Sequence, residues 1–323
     1  MQSIAIHKSG LSCCTGGGDI MGGKFYRGGI DAGGTTFKCG VADEEGVLVQ
    51  QCRVRVTSPT ETISQCLEFF RPLYESERLR SFGIASFGPI DVDLSSPDYG
   101  TILSTPKPAW SHTDLRAAFE QTIGLPVAVD VDVNGALLAE RTLGAAKGTK
   151  SAVYVTVGTG IGASIFANGS FLGRPVHPEF GHIPLRRNER DKSFDCLCPF
   201  HSDCLEGMIS AKAVAARTGE PSLLTEDDPV WEIAADYLAQ ACRSLYLTVR
   251  PERIILGGGL LLAPHLIGRI RHAFYDQMGG YLSMGWDATV DLITTPDLGD
   301  NAGLMGAILL GKVDRSQHFA LLA

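Results

Sequence analysis

Tyr26-Arg27-Gly28-Gly29-Ile30-Asp31-Ala32-Gly33-Gly34-Thr35-Thr36-Phe37-Lys38-Cys39-Gly40-Val41 reads as strand, tight Gly/Thr turn, strand. The same design returns at Ala152-Val153-Tyr154-Val155-Thr156-Val157-Gly158-Thr159-Gly160-Ile161-Gly162-Ala163-Ser164-Ile165-Phe166. Two such segments predict two related lobes, each opening with a β-hairpin. Glycine permits positive φ in these turns and lets a phosphate approach the backbone, while the threonines add hydroxyl donors. Neither turn is a G-x-x-x-x-G-K-[ST] loop, and neither runs straight into a helix as a dinucleotide-binding turn would. One such hairpin alone reads more readily as a plain structural turn. Two of them, with Gly257-Gly258-Gly259 after a later strand, point to a nucleotide held between lobes.

The intervening chain alternates helix and strand. Helical spacing runs over Thr60 to Tyr74 and Pro229 to Val249, and helices are also expected over Asn134 to about Leu143 and, closing the chain, Ala302 to Leu310. Strands are expected at Ser81 to Phe87, Pro126 to Asp130 and Arg253 to Leu256. Asp130-Val131-Asp132-Val133-Asn134 ends a strand and starts a helix. Helix capping explains one of these carboxylates. The other reading is a general base at the strand end, where ligands of open α/β sheets bind.

A second cluster lies at Glu179-Phe180-Gly181-His182 and Cys196-Leu197-Cys198-Pro199-Phe200-His201-Ser202-Asp203-Cys204-Leu205-Glu206-Gly207. His182, Cys198, His201 and Cys204 supply two imidazoles and two thiolates, enough for a closed tetrahedral zinc shell, which is structural rather than reactive. Glu179 and Glu206 bracket these ligands. The alternative is a group of buried thiols with incidental histidines. Cys196 competes for a ligand position, and His177 and His112 read as ordinary loop residues. Trp110 suits a pocket wall and plain packing equally.

At 323 residues the chain has room for about two domains, each with its own core. Hydrophobic residues make up 44 % and charged residues 20 %, yet no run reaches the roughly 18 apolar residues of a membrane helix. A net charge of −8 argues against a broad nucleic-acid surface. The nine cysteines and the lack of an apolar core in residues 1–24 fit reduced thiols in a cytoplasmic protein. The expected division is a disordered extension over 1–24, an N-terminal lobe over 25–135 to which a closing helix at about 302–312 returns, a C-terminal lobe over 136–301 with the metal loop at 177–207, and a tail over 313–323.

From about Phe25 to Lys312 the chain resembles the ROK family of sugar kinases, within the actin-like ATPase superfamily and leaning toward its fructokinase branch. The carriers are Asp31-Ala32-Gly33-Gly34-Thr35, Phe87-Gly88-Pro89-Ile90-Asp91, Thr105-Pro106-Lys107-Pro108-Ala109-Trp110, Asp132-Val133-Asn134-Gly135-Ala136, Val157-Gly158-Thr159-Gly160-Ile161-Gly162, His177-Pro178-Glu179-Phe180-Gly181-His182 and Cys198-Pro199-Phe200-His201-Ser202-Asp203-Cys204-Leu205-Glu206-Gly207. The Gly/Thr turns are shared widely across the superfamily, whereas the Glu-x-Gly-His and cysteine loop are specific to this family.

The resemblance implies an α/β, two-lobed actin-like (ribonuclease H-like) fold, with a central mixed sheet in each lobe and a zinc-stapled loop. ATP with Mg2+ and a hexose would meet in the cleft, which closes on them. Asp132 would be the catalytic base. Gly88, Pro89, Asn134, Glu179, His182 and Glu206 would surround the sugar. Asp31, Gly33, Gly34, Thr35, Thr36, Gly158, Thr159 and Gly160 would hold phosphates, and Gly257, Gly258 and Gly259 would lie by the adenosine. Structural Zn2+ would take His182, Cys198, His201 and Cys204. Fructose leads over mannose, glucose and N-acetylhexosamines as the expected substrate. A sugar-sensing regulator is the rival reading, but only about 24 residues precede the first lobe, fewer than a DNA-binding domain needs. A homodimer is compatible with the family and required by nothing in the sequence. Two departures stand out: Thr36 where many members carry Lys, and Val131 where many carry Asn.

Overall fold

The computed structural model describes residues 11–15, 24–105, 107–174 and 177–312. The expected tail over 313–323 and most of the extension over 1–24 lie outside these residues. The chain divides into two compact units. The first takes in described residues of Met1–Ala139, Arg174–Val176 and Asn301–Leu322, and the second those of Glu140–Gly173 and His177–Asp300.

The strands of the first unit are β1 (Leu11–Thr15), β2 (Tyr26–Ala32), β3 (Thr36–Ala42), β4 (Leu48–Arg55), β5 (Leu79–Ser86) and β6 (Val127–Val131). They lie in the order β1-β4-β3-β2-β5-β6. β2, β3 and β4 form an antiparallel meander, and β5 and β6 extend it in parallel beside β2. β1 falls within the stretch expected to be disordered, yet it pairs antiparallel with the edge of β4.

The helices here are α1 (Pro59–Glu75), α2 (Leu115–Ile123) and the start of α3 (Asp132–Leu143). Ser58 caps α1 by accepting from the Glu61 amide at 3.3 Å, and Pro59 begins it without forfeiting a needed donor. α1 turns Ile63, Cys66, Phe70 and Leu73 into the core. There Phe70 packs edge-on against Phe82 with ring centroids 4.8 Å apart. α2 was not expected from the sequence; Asp114 caps it and Gly124, at φ 74°, ends it.

The second unit repeats this plan. Its strands are β7 (Ala152–Val157), β8 (Ile161–Ala167), β9 (Ser170–Phe171), β10 (Arg253–Gly257) and β11 (Ile293–Thr294), in the order β11-β10-β7-β8-β9. Again three antiparallel strands are extended by two parallel ones beside the first. α4 (Leu205–Ile209), α5 (Ala211–Thr218), α6 (Val230–Val249), α7 (Leu266–Met278) and α8 (Trp286–Leu292) complete it. Trp231, Tyr237, Leu238 and Leu245 of α6 join Ile270 and Phe274 of α7 in its core. Both sheets thus have the mixed, ribonuclease H-like architecture of actin-like ATPases.

The last helix, α9 (Ala302–Gly311), packs on the first unit's sheet. A row of small residues makes this possible, because Gly40, Gly29, Gly83 and Ala128 stand opposite one another across β3, β2, β5 and β6. A Cβ on Gly83 would lie 2.2 Å from the Ala307 carbonyl oxygen, and one on Gly29 2.6 Å from the Ile308 nitrogen. The helix backbone therefore rests directly on the strands. Gly306 meets α3 as closely, with its Cβ position 2.0 Å from the Gly135 carbonyl oxygen. These contacts fix the start of α3, where Asp132 stands.

Candidate active site

The two carboxylates at the end of β6 have different surroundings. Asp130 is fully buried and ion-paired with Arg174. Its Oδ1 also accepts from the Asn134 amide at 2.9 Å and from the Val131 backbone at 2.8 Å. Asn134, expected at the sugar, is 2 % exposed, and its amide donates to Asp130. Asp132 is the first residue of α3 and half-buried, with Oδ1 accepting from the Val133 amide at 2.7 Å. Of the pair, Asp130 has the environment of a structural anion and Asp132 that of a group able to meet a ligand. The adjoining Gly88-Pro89 segment follows β5, with Gly88 exposed.

Asp31 ends near the β2–β3 turn with Oδ2 3.8 Å from Lys38 Nζ, and its carboxylate lies against Gly303 of α9. The Gly33 amide donates within the turn to the carbonyls of Asp31 at 3.2 Å and Thr36 at 3.1 Å, and Thr35 is exposed at its tip. Lys107 Nζ sits 3.4 Å from the position a Cβ on Gly34 would take, and 5.3 Å from the Phe87 ring centroid. The sequence reading gave Lys107 no role. The signal that could have found it is Thr36, where many family members have a lysine. Trp110 is only 2 % exposed, packs on Phe37 and Phe87, and donates to the Thr57 carbonyl at 3.0 Å. It belongs to the core.

In the second unit the Gly158-Thr159-Gly160 turn closes between β7 and β8, with the Gly158 amide donating to the Gly160 carbonyl at 2.9 Å. Positive φ is not what makes glycine necessary in the Gly33-Gly34 or Gly158–Gly160 turns, since none of these residues adopts it. At Gly160 the reason is crowding, as a Cβ would lie 2.7 Å from Glu206 Oε2. Gly258 does require glycine on both counts, at φ 91° and with its Cβ position 2.5 Å from the Val157 nitrogen. That contact sets the Gly257–Gly259 turn beside the end of β7, next to Gly158.

Glu206, near the start of α4, accepts from the Ile161 amide at 2.8 Å. Gly181 lies against both, its Cβ position being 2.1 Å from the Ile161 carbonyl oxygen and 3.5 Å from Glu206 Cβ. The glycine-rich turn, the Glu179–His182 segment and α4 are thereby brought together. Glu179 is 74 % exposed, with Oε1 3.7 Å from His177 Nδ1.

His182, Cys198, His201 and Cys204 converge, with their ligand atoms all within 4.8 Å of one another. Cys198 Sγ is 3.7 Å from His182 Nδ1 and 3.4 Å from His201 Nδ1, and Cys204 Sγ is 3.6 Å from His182 Nδ1. Zn–S and Zn–N bonds at tetrahedral angles require an S···N edge of about 3.6 Å. The four groups fit that ion. Cys196 stands outside the set, with its sulfur packed against Gly207.

Burial, with Cys198 and Cys196 alongside, pushes the Cys204 thiol up to about 12, so a metal taking this sulfur must displace its proton. The Pro184–Cys204 bridge and the Leu205 amide on the Ile183 carbonyl at 3.0 Å hold two ligand segments together. Arg187 adds a clamp, donating to Asp203 at 2.6 Å and to the Phe194 carbonyl at 2.5 Å. Neither Arg187 nor Arg174 was singled out in the sequence, because their partners are set by tertiary structure.

The ROK family model matches residues 26–313. A fructokinase of Zymomonas mobilis is 41 % identical over 296 residues, covering 89 % of this chain and 96 % of that protein. A fructokinase of Streptococcus mutans is 38 % identical over 293 residues, covering 90 % of this chain and 98 % of that one. Among solved structures, a ROK family glucokinase from Streptomyces griseus in complex with glucose and AMPPNP is similar with a TM-score of 0.71 at 25 % identity, covering 89 % of this chain and 99 % of that chain. With the two mixed sheets, the glycine-rich turns and the family match in agreement, the chain belongs to the ROK family.

Proposed function

We propose that this protein is an ATP-dependent hexose kinase that phosphorylates D-fructose at its 6-hydroxyl. The observation that carries the chemistry is the difference in burial at the end of β6, where Asp130 is fully buried among its partners and Asp132, at the start of α3, is only half-buried. In the proposed reaction Asp132 accepts the hydroxyl proton as the sugar oxygen attacks the γ-phosphorus of ATP in line. The bond to the β–γ bridging oxygen breaks, and ADP leaves with that electron pair. Such chemistry relies on positioning and charge stabilisation more than on covalent participation by the protein.

The nucleotide enters as its magnesium complex. Asp31, Gly33–Thr36 and the Gly158–Gly160 turn are assigned to the phosphates, and Gly257–Gly259 to the adenosine. Lys107 beside Gly34 would supply the cation that Thr36 does not. Glu179, His182 and Glu206, with Gly88 and Pro89, are assigned to the sugar. His182, Cys198, His201 and Cys204 would hold a structural Zn2+ that braces the segments carrying the two glutamates. The donor set and its 3.4–3.7 Å spacings support this reading.

Fructose is favoured by the two fructokinases that are 38–41 % identical to this chain over most of their length. No helix among the described residues is long and apolar enough to cross a membrane. The test is ADP release, coupled to NADH oxidation, with ATP and Mg2+ across fructose, mannose, glucose and N-acetylhexosamines. Fructose should have the highest kcat/KM. A higher value for another hexose would replace the substrate, and no ADP release with any sugar would refute the kinase.

A further inference from the structure

A cavity of about 610 Å³ lies in the second unit, lined chiefly by Arg141, Lys150, Ser151, Phe166, Asn168 and Arg250. Ser151 precedes β7 and Gly158 follows it, so the length of this strand separates the cavity from the glycine-rich turn by about 20 Å. Its volume falls in the usual range for small-ligand sites, about 300–1,000 Å³.

Three cations converge here in a chain whose formal net charge is −8. Among the described residues, none of the three takes part in an ion pair. Arg141 lies over the Phe166 ring with its guanidinium carbon 3.0 Å from the centroid, and its Nε is buried without a hydrogen-bond partner. Burial alone holds the Arg141 guanidinium below its ordinary pKa. An orphaned buried donor is costly.

Two features oppose an anion. One is Glu252, which accepts from the Lys150 backbone amide at 3.2 Å, and the other is the C-terminal end of α6 beside Val249 and Arg250. Arg250 has a structural alternative as well, since it ends α6 at φ 54° and its guanidinium carbon lies 4.6 Å from the Tyr246 ring centroid. Arg141 shares such an alternative through its stack on Phe166, although its Nε stays without a hydrogen-bond partner; Lys150 has none. Three cations against one carboxylate leave the cavity positive.

We propose that this cavity is a second anion site, taking a phosphate monoester of monosaccharide size. Arg141 and Lys150 would hold the phosphoryl oxygens, and Ser151 and the Asn168 turn would face the hydroxyls. The inference does not depend on the kinase reading, because it rests on residues that reading does not use.

Calorimetry on the full chain tests it, with fructose 6-phosphate and inorganic phosphate as probes. AMPPNP and fructose are kept in excess so that the glycine-rich turns are already filled. Saturable binding is expected, weakened about ten-fold or more by Lys150→Gln and by Arg141→Gln, the loss of one charge-assisted hydrogen bond. A Lys192→Gln control, at an exposed ion pair with Glu189 elsewhere in the unit, should bind as the parent does. Tighter binding of fructose 6-phosphate than of phosphate would assign the site to sugar phosphates, and equal binding would assign it to the phosphoryl group alone; both support it. No binding under these conditions, or binding that Lys150→Gln leaves unchanged, overturns the proposal. Lys150 lies in a loop, so its substitution does not put folding in question.

Discussion

Replacing Asp130 and Asp132 one at a time by Asn tests whether the first carboxylate is structural and the second is the proposed base. Asp130→Asn keeps an oxygen for the Asn134 amide and the Val131 backbone but turns an NH2 toward the Arg174 guanidinium. Arg174 is 18 % exposed and Asp130 not at all, so the charge left behind is largely cut off from water. Breaking such a pair from one side costs about 3–5 kcal/mol. At about 2–4 °C per kcal/mol for a domain of this size, Tm should fall by about 6–20 °C. Asp132→Asn should cost less, because the side chain is half-buried and keeps an acceptor for the Val133 amide. Its turnover should fall by about 10²–10⁴-fold, the usual contribution of a general base, while fructose affinity stays within several-fold. Thermal unfolding followed by circular dichroism reads the first effect. The coupled ADP assay, run well below either midpoint, reads the second. Near-normal turnover in Asp132→Asn, with a collapse in Asp130→Asn at unchanged Tm, would refute the assignment and make Asp132 a helix cap.

Gly158→Val should abolish measurable ATP binding in calorimetry while moving Tm by no more than a few degrees, since a new Cβ there meets only the Gly160 carbonyl oxygen at 4.0 Å. Unchanged ATP affinity would remove this turn from the nucleotide site. Lys107→Met keeps the apolar stem beside Phe87 but removes the charge next to Gly34, so KM for ATP should rise about ten-fold or more and KM for fructose should hold. An unchanged KM for ATP would leave Thr36 uncompensated. Cys198→Ser or Cys204→Ser should lose about one zinc per chain by elemental analysis, lower Tm and weaken fructose binding, whereas Cys196→Ser should keep the metal. A parent chain purified without zinc, or a Cys204→Ser chain that retains metal and full sugar affinity, would contradict this reading.

What the sequence by itself determined is local and periodic. The two Gly/Thr hairpins at residues 26–42 and 152–167 were legible because alternation of period two and a glycine-rich break are short-range signals. α1 and α6 were legible from their spacing, α9 as a short apolar closing segment, and His182, Cys198, His201 and Cys204 from ligand chemistry at short separations. α2 escaped notice, although its Asp114 cap and Gly124 stop are both written in the chain. Only the tertiary structure gave Asp130 and Asp132 their different surroundings, because burial and the Arg174 partner, 44 residues away, are properties of packing rather than spacing. The same holds for Lys107 beside Gly34, for Trp110 in the core, and for the glycine row that seats α9. Sequence patterns report which face of an element is apolar. Which two elements share a contact is a pairwise fact, and it comes into being only when the chain has folded.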